Sequence, residues 1–298
     1  MIKIYVPHHV SGIWIPYYSS NPLETGSIGI GVNLAIYLET TLKDGDCKIL
    51  LNDTPVLEDQ AKEICIETGM SLTTRAISPF KLGSGFGLSA ALIMSHSLLT
   101  HMVSKRPLFN ALQKAHEIEV KWRTGLGDVI AEYTGGLAIR VKPGAPGIGI
   151  AYRLLAPEVS TLIVGELGYI ESTANMLERI PGNVYEEGRL FLKEIMEKED
   201  PVLFFEYSRR FTSKIFCYNC LKKDPGSIKG VIGYYLKKSA LIMWIEEEYA
   251  DEIIESMKIN NIKLFKTRIS HHGVVVVYTP KSPKEREPAD QGETGRRV

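Results

Sequence analysis

The sequence predicts an α+β protein of two domains: a strand-rich α+β half over residues 1–156, and a second α+β half over residues 157–279 that ends β-α-β-β. Three observations point there. The β-branched and alternating apolar segments crowd into the first third of the chain, broken by one helical stretch. From Ser172 to about Leu221 the pattern turns helical, with Leu190, Ile195, Phe204, Phe205, Phe211 and Ile215 as its apolar residues. A strand, a helix and two strands then follow in quick succession. The 298 residues suffice for two domains and for a core that needs no covalent staples.

In order, Ile2–Val6, Gly12–Tyr18, Ser27–Asn33, Cys47–Leu51 and Ser71–Ser78 read as strands. A helix from Leu57 to Thr68 interrupts them, and Gly69 stops it. A glycine-rich turn opens a helix that runs to about His101, and Pro107 opens another that ends near Trp122. Gly135-Gly136 turns the chain into a strand at Leu137–Lys142, and strands at Ile148–Leu155 and Ser160–Gly165 come next. The final unit is Ala240–Glu246, the helix Tyr249–Ile259, then strands Lys263–Ser270 and Gly273–Thr279. Residues 280–298 are proline-rich and charged with almost nothing apolar to bury, so they are expected to be disordered.

Composition excludes several function classes. With 35 basic and 35 acidic side chains the net charge is zero, so no global field draws nucleic acid or an anionic membrane. The longest apolar runs are strand-length, and the opening M-I-K-I-Y-V reads as a strand, not a signal peptide. A cytoplasmic enzyme is the expectation. Four cysteines (Cys47, Cys65, Cys217, Cys220) do not make a disulfide framework in a chain this long. Cys217 and Cys220 form a lone C-x-x-C, read as packing on one stripe of a helix and not as half a zinc site. His271-His272 reads as a turn.

Two segments carry the chemistry. Pro79 to Ala91 reads P-F-K-L-G-S-G-F-G-L-S-A-A, and Thr124 to Asp128 reads T-G-L-G-D. Gly83, Gly85 and Gly87 let the backbone approach a ligand and lead straight into a helix N-terminus, where free N–H groups and the helix dipole favour an anion. Ser89 falls in the first helical turn, able to put a hydroxyl beside that anion or on its metal. Asp128, flanked by Gly127, can be held close to the same place. The spacing does not fit G-x-G-x-x-G, and without a Gly-Lys-Ser or Gly-Lys-Thr there is no Walker A loop. The loop and Asp128 together are read as phosphoryl transfer from a nucleotide, against the plain alternative of a glycine-rich turn that only opens a helix.

On the helix before Asp128, Leu108, Leu112, Ala115, Glu119 and Trp122 share one face. Glu119 interrupts that apolar stripe, so its carboxylate either bends to solvent or has a partner, and a divalent cation is a suitable one. His116 is one turn earlier, and Glu117 points elsewhere.

Pro79 followed by this loop and Ser-Ala-Ala resembles the second motif of the GHMP kinases. Several further segments resemble the archaeal pantoate kinases within that family: P-H-H-V-S-G-I-W at Pro7–Trp14, N-P-L-E-T-G-S-I-G-I-G-V-N at Asn21–Asn33, A-H-E-I-E-V at Ala115–Val120, T-G-L-G-D-V at Thr124–Val129, then Gly135-Gly136. Their order matches across most of residues 7–140. The resemblance implies a two-domain GHMP fold and ATP-dependent, magnesium-dependent phosphorylation of the primary hydroxyl of pantoate, in coenzyme A biosynthesis. It implies Asp128 as the catalytic residue, Gly83, Ser84, Gly85, Phe86, Gly87, Leu88 and Ser89 around the ATP phosphates, and Ser89 with Glu119 at the metal. Ser27, His116, Arg140 and Thr173 correspond to the acceptor-binding set, with Ser172 adjacent to the last. A homodimer is also implied.

The chain departs from the family pattern at His8-His9, where the family has a glycine after the proline. Its third motif is nearly absent, with Gly230 and Gly233 the only trace. Another GHMP kinase, such as a homoserine kinase, would share the ATP site and differ only in the acceptor pocket. A silent GHMP-fold sensor would not need Asp128, Ser89 and Glu119 together.

Overall fold

The computed structural model describes residues 2–260 and 262–279. The chain runs β1 (Ile2–Tyr17), β2 (Gly26–Asp44), β3 (Lys48–Leu51), β4 (Thr54–Val56), α1 (Glu58–Thr68), β5 (Leu72–Ile77), α2 (Leu88–Val103), α3 (Leu108–Lys121), α4 (Asp128–Thr134), β6 (Leu137–Lys142) and β7 (Ile150–Leu154). The second half adds β8 (Thr161–Glu166), α5 (Thr173–Glu178), α6 (Gly182–Lys198), α7 (Pro201–Ser213), β9 (Val231–Lys237), β10 (Ala240–Ile245), α8 (Ala250–Met257), β11 (Lys263–Thr267) and β12 (Val275–Tyr278). The tail expected to be disordered, residues 280–298, lies outside the described residues.

An eight-stranded sheet is ordered β12-β1-β2-β5-β3-β4, with β6 pairing both β2 and β7. A four-stranded sheet is ordered β11-β8-β10-β9. The β-α-β-β order at the end of the chain holds, but its last strand leaves the second sheet and pairs antiparallel with β1. We take the two sheets as the two domains, with the division between β7 and β8 and with β12 returned to the first.

The two strands expected at the N-terminus are one, Ile2–Tyr17, which tolerates Pro7 and Gly12 through register shifts at Pro7/His8 and Ser11/Ile13. Of the elements sequence patterning misses, β9 contains Gly233, whose missing side chain is filled by Phe205 of α7. The others, β4 and α4, are too short to carry a period.

Helix α2 is buried from Leu88 to His101 apart from Ser89, which suits its almost wholly apolar sequence and makes it the central helix of the first half. Gly69 caps α1 in the left-handed conformation at φ 69°, as its position predicts. Helices α6 and α7 pack on β1, where the Trp14 and Phe211 rings meet edge to face at 5.0 Å. The buried Tyr235 hydroxyl of β9 donates to the Val10 carbonyl at 2.8 Å, so the second sheet is hydrogen-bonded to the first.

All four cysteines are bridged: Cys47 to Cys65 and Cys217 to Cys220. This corrects the expectation of unpaired cysteines. Packing of α1 on β3 brings Cys47 and Cys65 together across 18 residues of chain. Cys217 and Cys220 flank a single 3₁₀ turn instead of sharing a helix stripe.

Candidate active site

The glycine loop, α5, the β9–β10 turn and the T-G-L-G-D segment line one cavity of about 540 Å³. That is the size range of small-ligand sites, roughly 300–1,000 Å³. Gly85 adopts φ 107°, and a Cβ there would stand 2.2 Å from the Lys237 carbonyl oxygen. Only glycine lets the loop lie against the β9–β10 turn. Gly87 begins α2 at φ 69°, so the helix N-terminus opens directly on the cavity. Ser84 faces away, its hydroxyl donating to the Lys81 carbonyl at 2.6 Å, and the Phe86 ring stacks on Phe80. The loop therefore presents backbone to the cavity.

Glu119 is buried with Leu112 and Ala115 of its stripe, while Leu108 and Trp122 at the two ends are exposed. Its Oε1 accepts from the Ser89 hydroxyl at 2.6 Å and from the Thr124 hydroxyl at 2.6 Å. Its Oε2 is buried with no partner. Burial pushes this carboxyl up to about 7, against the opposing pull of the two hydroxyls. A carboxylate with an unspent oxygen beside a serine hydroxyl is a donor set that fits a small divalent cation. Glu117 is excluded from that set: it faces α1 and pairs with Lys114 at 3.4 Å.

Asp128 begins α4 and keeps 18% of its side chain exposed to the cavity. Burial raises its pKa, but Lys237, His9, Arg140 and Lys238 together outweigh that and hold the carboxyl at about 2. Lys237 Nζ is 3.5 Å from Oδ1, and His9 Nε2 is 3.9 Å from the same oxygen. Burial keeps His9 neutral, its pKa lowered to about 3. Asp128 is thus an ionised acceptor facing the cavity, next to the loop. The family's glycine has no counterpart at His8 because the backbone passes there as a strand; the His8 ring meets the Phe86 carbonyl at 3.2 Å and Ser78 at 3.0 Å.

The acceptor-binding candidates divide. Ser27 and Thr173 line the cavity. Ser172 does not compete with Thr173, because its hydroxyl caps α5 by accepting from the Asn175 amide. His116 and Arg140 are buried behind the wall. The His116 ring is 2.8 Å from the Thr25 carbonyl and so fixes the segment that carries Ser27. Arg140 touches His9 at 3.2 Å, and a Cβ on Gly127 would lie 2.8 Å from its Nε. That Nε has no partner.

Three residues escaped the sequence reading. Lys237 and Lys238 are only 6% and 5% exposed, yet both line the cavity. They belong to a hairpin of the second half, and nothing in a lone Lys-Lys marks it as buried. Glu132 of α4 is fully buried with both oxygens unpaired, and burial, with Asp128 and Glu119 adding to it, pushes its carboxyl well above the usual carboxylate range.

No family model matches the chain. Among known proteins it is similar to the pantoate kinase of Thermococcus kodakarensis, 30% identical over 229 residues, which is 72% of this chain and 76% of that one. It is also similar to the pantoate kinase of Methanocaldococcus jannaschii, 37% identical over 150 residues, covering 48% and 54% of the two chains. Of solved structures, a phosphotransferase related to the CoA biosynthesis pathway superposes with a TM-score of 0.74 at 24% identity, covering 93% of this chain and 98% of the other. A homoserine kinase from Cytophaga hutchinsonii superposes at 0.64 with 16% identity, covering 93% and 97%. These likenesses establish the GHMP kinase fold. With the sequence relationship, they make the chain a member of the pantoate kinase family within the GHMP kinases.

Proposed function

We propose that the protein transfers the γ-phosphoryl group of ATP to the primary hydroxyl of pantoate, giving 4-phosphopantoate for coenzyme A biosynthesis. The observation that carries this reading is the meeting of the glycine loop, Ser89 and the ionised Asp128 at one cavity, with Glu119 hydrogen-bonded to Ser89 just behind its wall. Backbone donors of Gly83–Ser89 cradle the phosphates. Ser89 and Glu119 would hold Mg²⁺, which would neutralise phosphate charge; the unpaired Oε2 of Glu119 supports this. Asp128 aligns the acceptor hydroxyl and takes its proton. The hydroxyl oxygen bonds to the γ-phosphorus as the bond to the β,γ-bridging oxygen breaks, and ADP leaves with the electron pair. Phosphoryl transfer asks mainly for positioning and charge neutralisation, so this set suffices.

Ser27 and Thr173 contact the acceptor, His116 keeps Ser27 in place, and Arg140 lends its positive charge to the acceptor side from behind Gly127. The balanced net charge supports small-molecule partners with no nucleic acid or membrane, and no helix among the described residues is long and apolar enough to span a bilayer. Family resemblance supports a cytoplasmic homodimer, which light scattering tests.

The functional test is ADP release with pantoate, pantoyl lactone, homoserine and mevalonate as separate acceptors. Pantoate alone should support turnover. Equal turnover with homoserine, or with the lactone that lacks a carboxylate, would refute the acceptor assignment.

A further inference from the structure

The β9–β10 turn brings Lys237, Lys238 and Ser239 from the second half of the chain to the glycine loop of the first. The Ser239 hydroxyl donates to the Ser84 carbonyl at 3.2 Å, and Gly85 lies flat against the Lys237 carbonyl. Lys238 is itself held in the left-handed conformation at φ 53°, with its carbonyl accepting from the Tyr169 hydroxyl. The turn is therefore fastened at the phosphate end of the cavity.

The cations of this cavity and its wall differ in what they are committed to: Lys81 pairs with Glu166 at 3.8 Å and Arg123 with Glu178 at 2.8 Å. Lys237 is committed to Asp128. Arg140 is 1% exposed, lies behind Gly127 and touches His9. Lys238 hydrogen-bonds a neutral hydroxyl, Thr173 Oγ1, at 3.0 Å. An ammonium has three donors and needs acceptors for all of them when buried. Neighbouring Glu171 is engaged by Arg179, through Nε at 2.9 Å and Nη2 at 3.0 Å. Burial lowers the Lys238 pKa to about 8, with Lys237 adding to the effect. Asp128, Glu171 and Glu119 pull the other way, but among the described residues none of them forms an ion pair with this ammonium, which leaves it donors for an anion.

We propose that Lys238 is a further catalytic residue, the cation that meets the phosphoryl group in transit between ATP and acceptor. This rests on the kinase reading above. The glycine loop and Asp128 bracket the path of the transferred group, and Lys238 stands at the end of the turn pinned between them. Its charge stabilises the equatorial oxygens as the phosphorus leaves the β,γ-bridging oxygen. Lys237 stays with Asp128 and keeps it ionised.

The test compares wild type with Lys238→Met, which keeps the apolar stem and deletes the charge. The variant should lower kcat by roughly two to three decades, with the KM for pantoate held within about threefold. A binding readout separates charge from mere structure. Calorimetry should find ADP affinity unchanged in the variant, and the complex of ADP, Mg²⁺, aluminium fluoride and pantoate weakened by more than roughly tenfold. Should Lys238→Met fail to fold, Lys238→Gln, which keeps a donor for Thr173, carries the same comparison. Unchanged kcat would overturn the proposal, as would a rise confined to the pantoate KM, which would give Lys238 to the acceptor carboxylate. A wild type that releases no ADP with pantoate would instead overturn the functional reading itself.

Discussion

At the residue scale, Asp128 and Glu119 stand nine positions apart in the sequence and are pushed in opposite directions. Cations hold Asp128 at about 2, and burial lifts Glu119 to about 7. Asp128→Asn should preserve nucleotide binding while lowering turnover by roughly two to four decades, read by steady-state kinetics beside ADP calorimetry. Near-wild-type turnover would remove Asp128 from the chemistry. Ser89→Ala and Glu119→Ala should each raise the magnesium concentration needed for half-maximal activity, while Glu117→Ala should leave it unchanged because that side chain serves Lys114. A magnesium requirement that follows Glu117 would reverse the assignment. Arg140→Ala should raise the pantoate KM by more than roughly tenfold with the ATP KM unmoved, and Arg140→Lys should restore only part of it.

Glu119 was legible because it breaks an apolar stripe whose middle, Leu112 to Glu119, is the part that is buried. Arg140 was legible as a strand residue. Its retreat behind Gly127 was not, because spacing does not say how thick the wall of a pocket is. Lys238 was illegible for a different reason: its position depends on a hairpin that only tertiary packing brings to the loop.

At the element scale, the first half is tied across its helices by Lys114 of α3, which reaches Glu63 at 3.1 Å and Glu67 at 2.9 Å on α1. Burial lowers the Lys114 pKa, but these carboxylates and Glu117 outweigh it and raise it to about 12. The Lys114 contribution is therefore complete below its unfolded value of 10.5 and is lost as pH rises through about 12. Burial raises Glu63, but Lys121 and Lys114 outweigh it, so its contribution is present above its unfolded value of 4.5 and is lost as pH falls through the depressed folded value. Lys114→Met should lower the melting temperature at neutral pH, at a cost of about 1–3 kcal/mol, and should flatten the fall of Tm with acid. A melting curve that matches wild type across that pH range would contradict the role of this cluster.

Element prediction succeeded where period and punctuation agreed, as at α1 with its Gly69 cap. It failed at β9, where Gly230 and Gly233 look like loop residues until Phe205 is seen to fill the space above Gly233. It failed again at the cysteines, because the pairing of Cys47 with Cys65 depends on how α1 packs on β3.

At the scale of the whole molecule, one continuous core joins β1 to α6, α7 and the second sheet, and β12 stitches the end of the chain back to β1. The cavity lies on that seam. The first half supplies the glycine loop, Ser89 and Asp128, and the second supplies Thr173, Lys237 and Lys238. A reading of the first half alone therefore recovers the nucleotide side and leaves the acceptor side incomplete. The central claim is that this seam carries a phosphoryl group to the primary hydroxyl of pantoate. Proton-coupled ³¹P NMR of the reaction with ATP, Mg²⁺ and pantoate tests it most directly. The account predicts a new phosphomonoester resonance split into a triplet by the two protons of the primary carbon. A doublet, from phosphate on the secondary hydroxyl, or no phosphoester at all would contradict it.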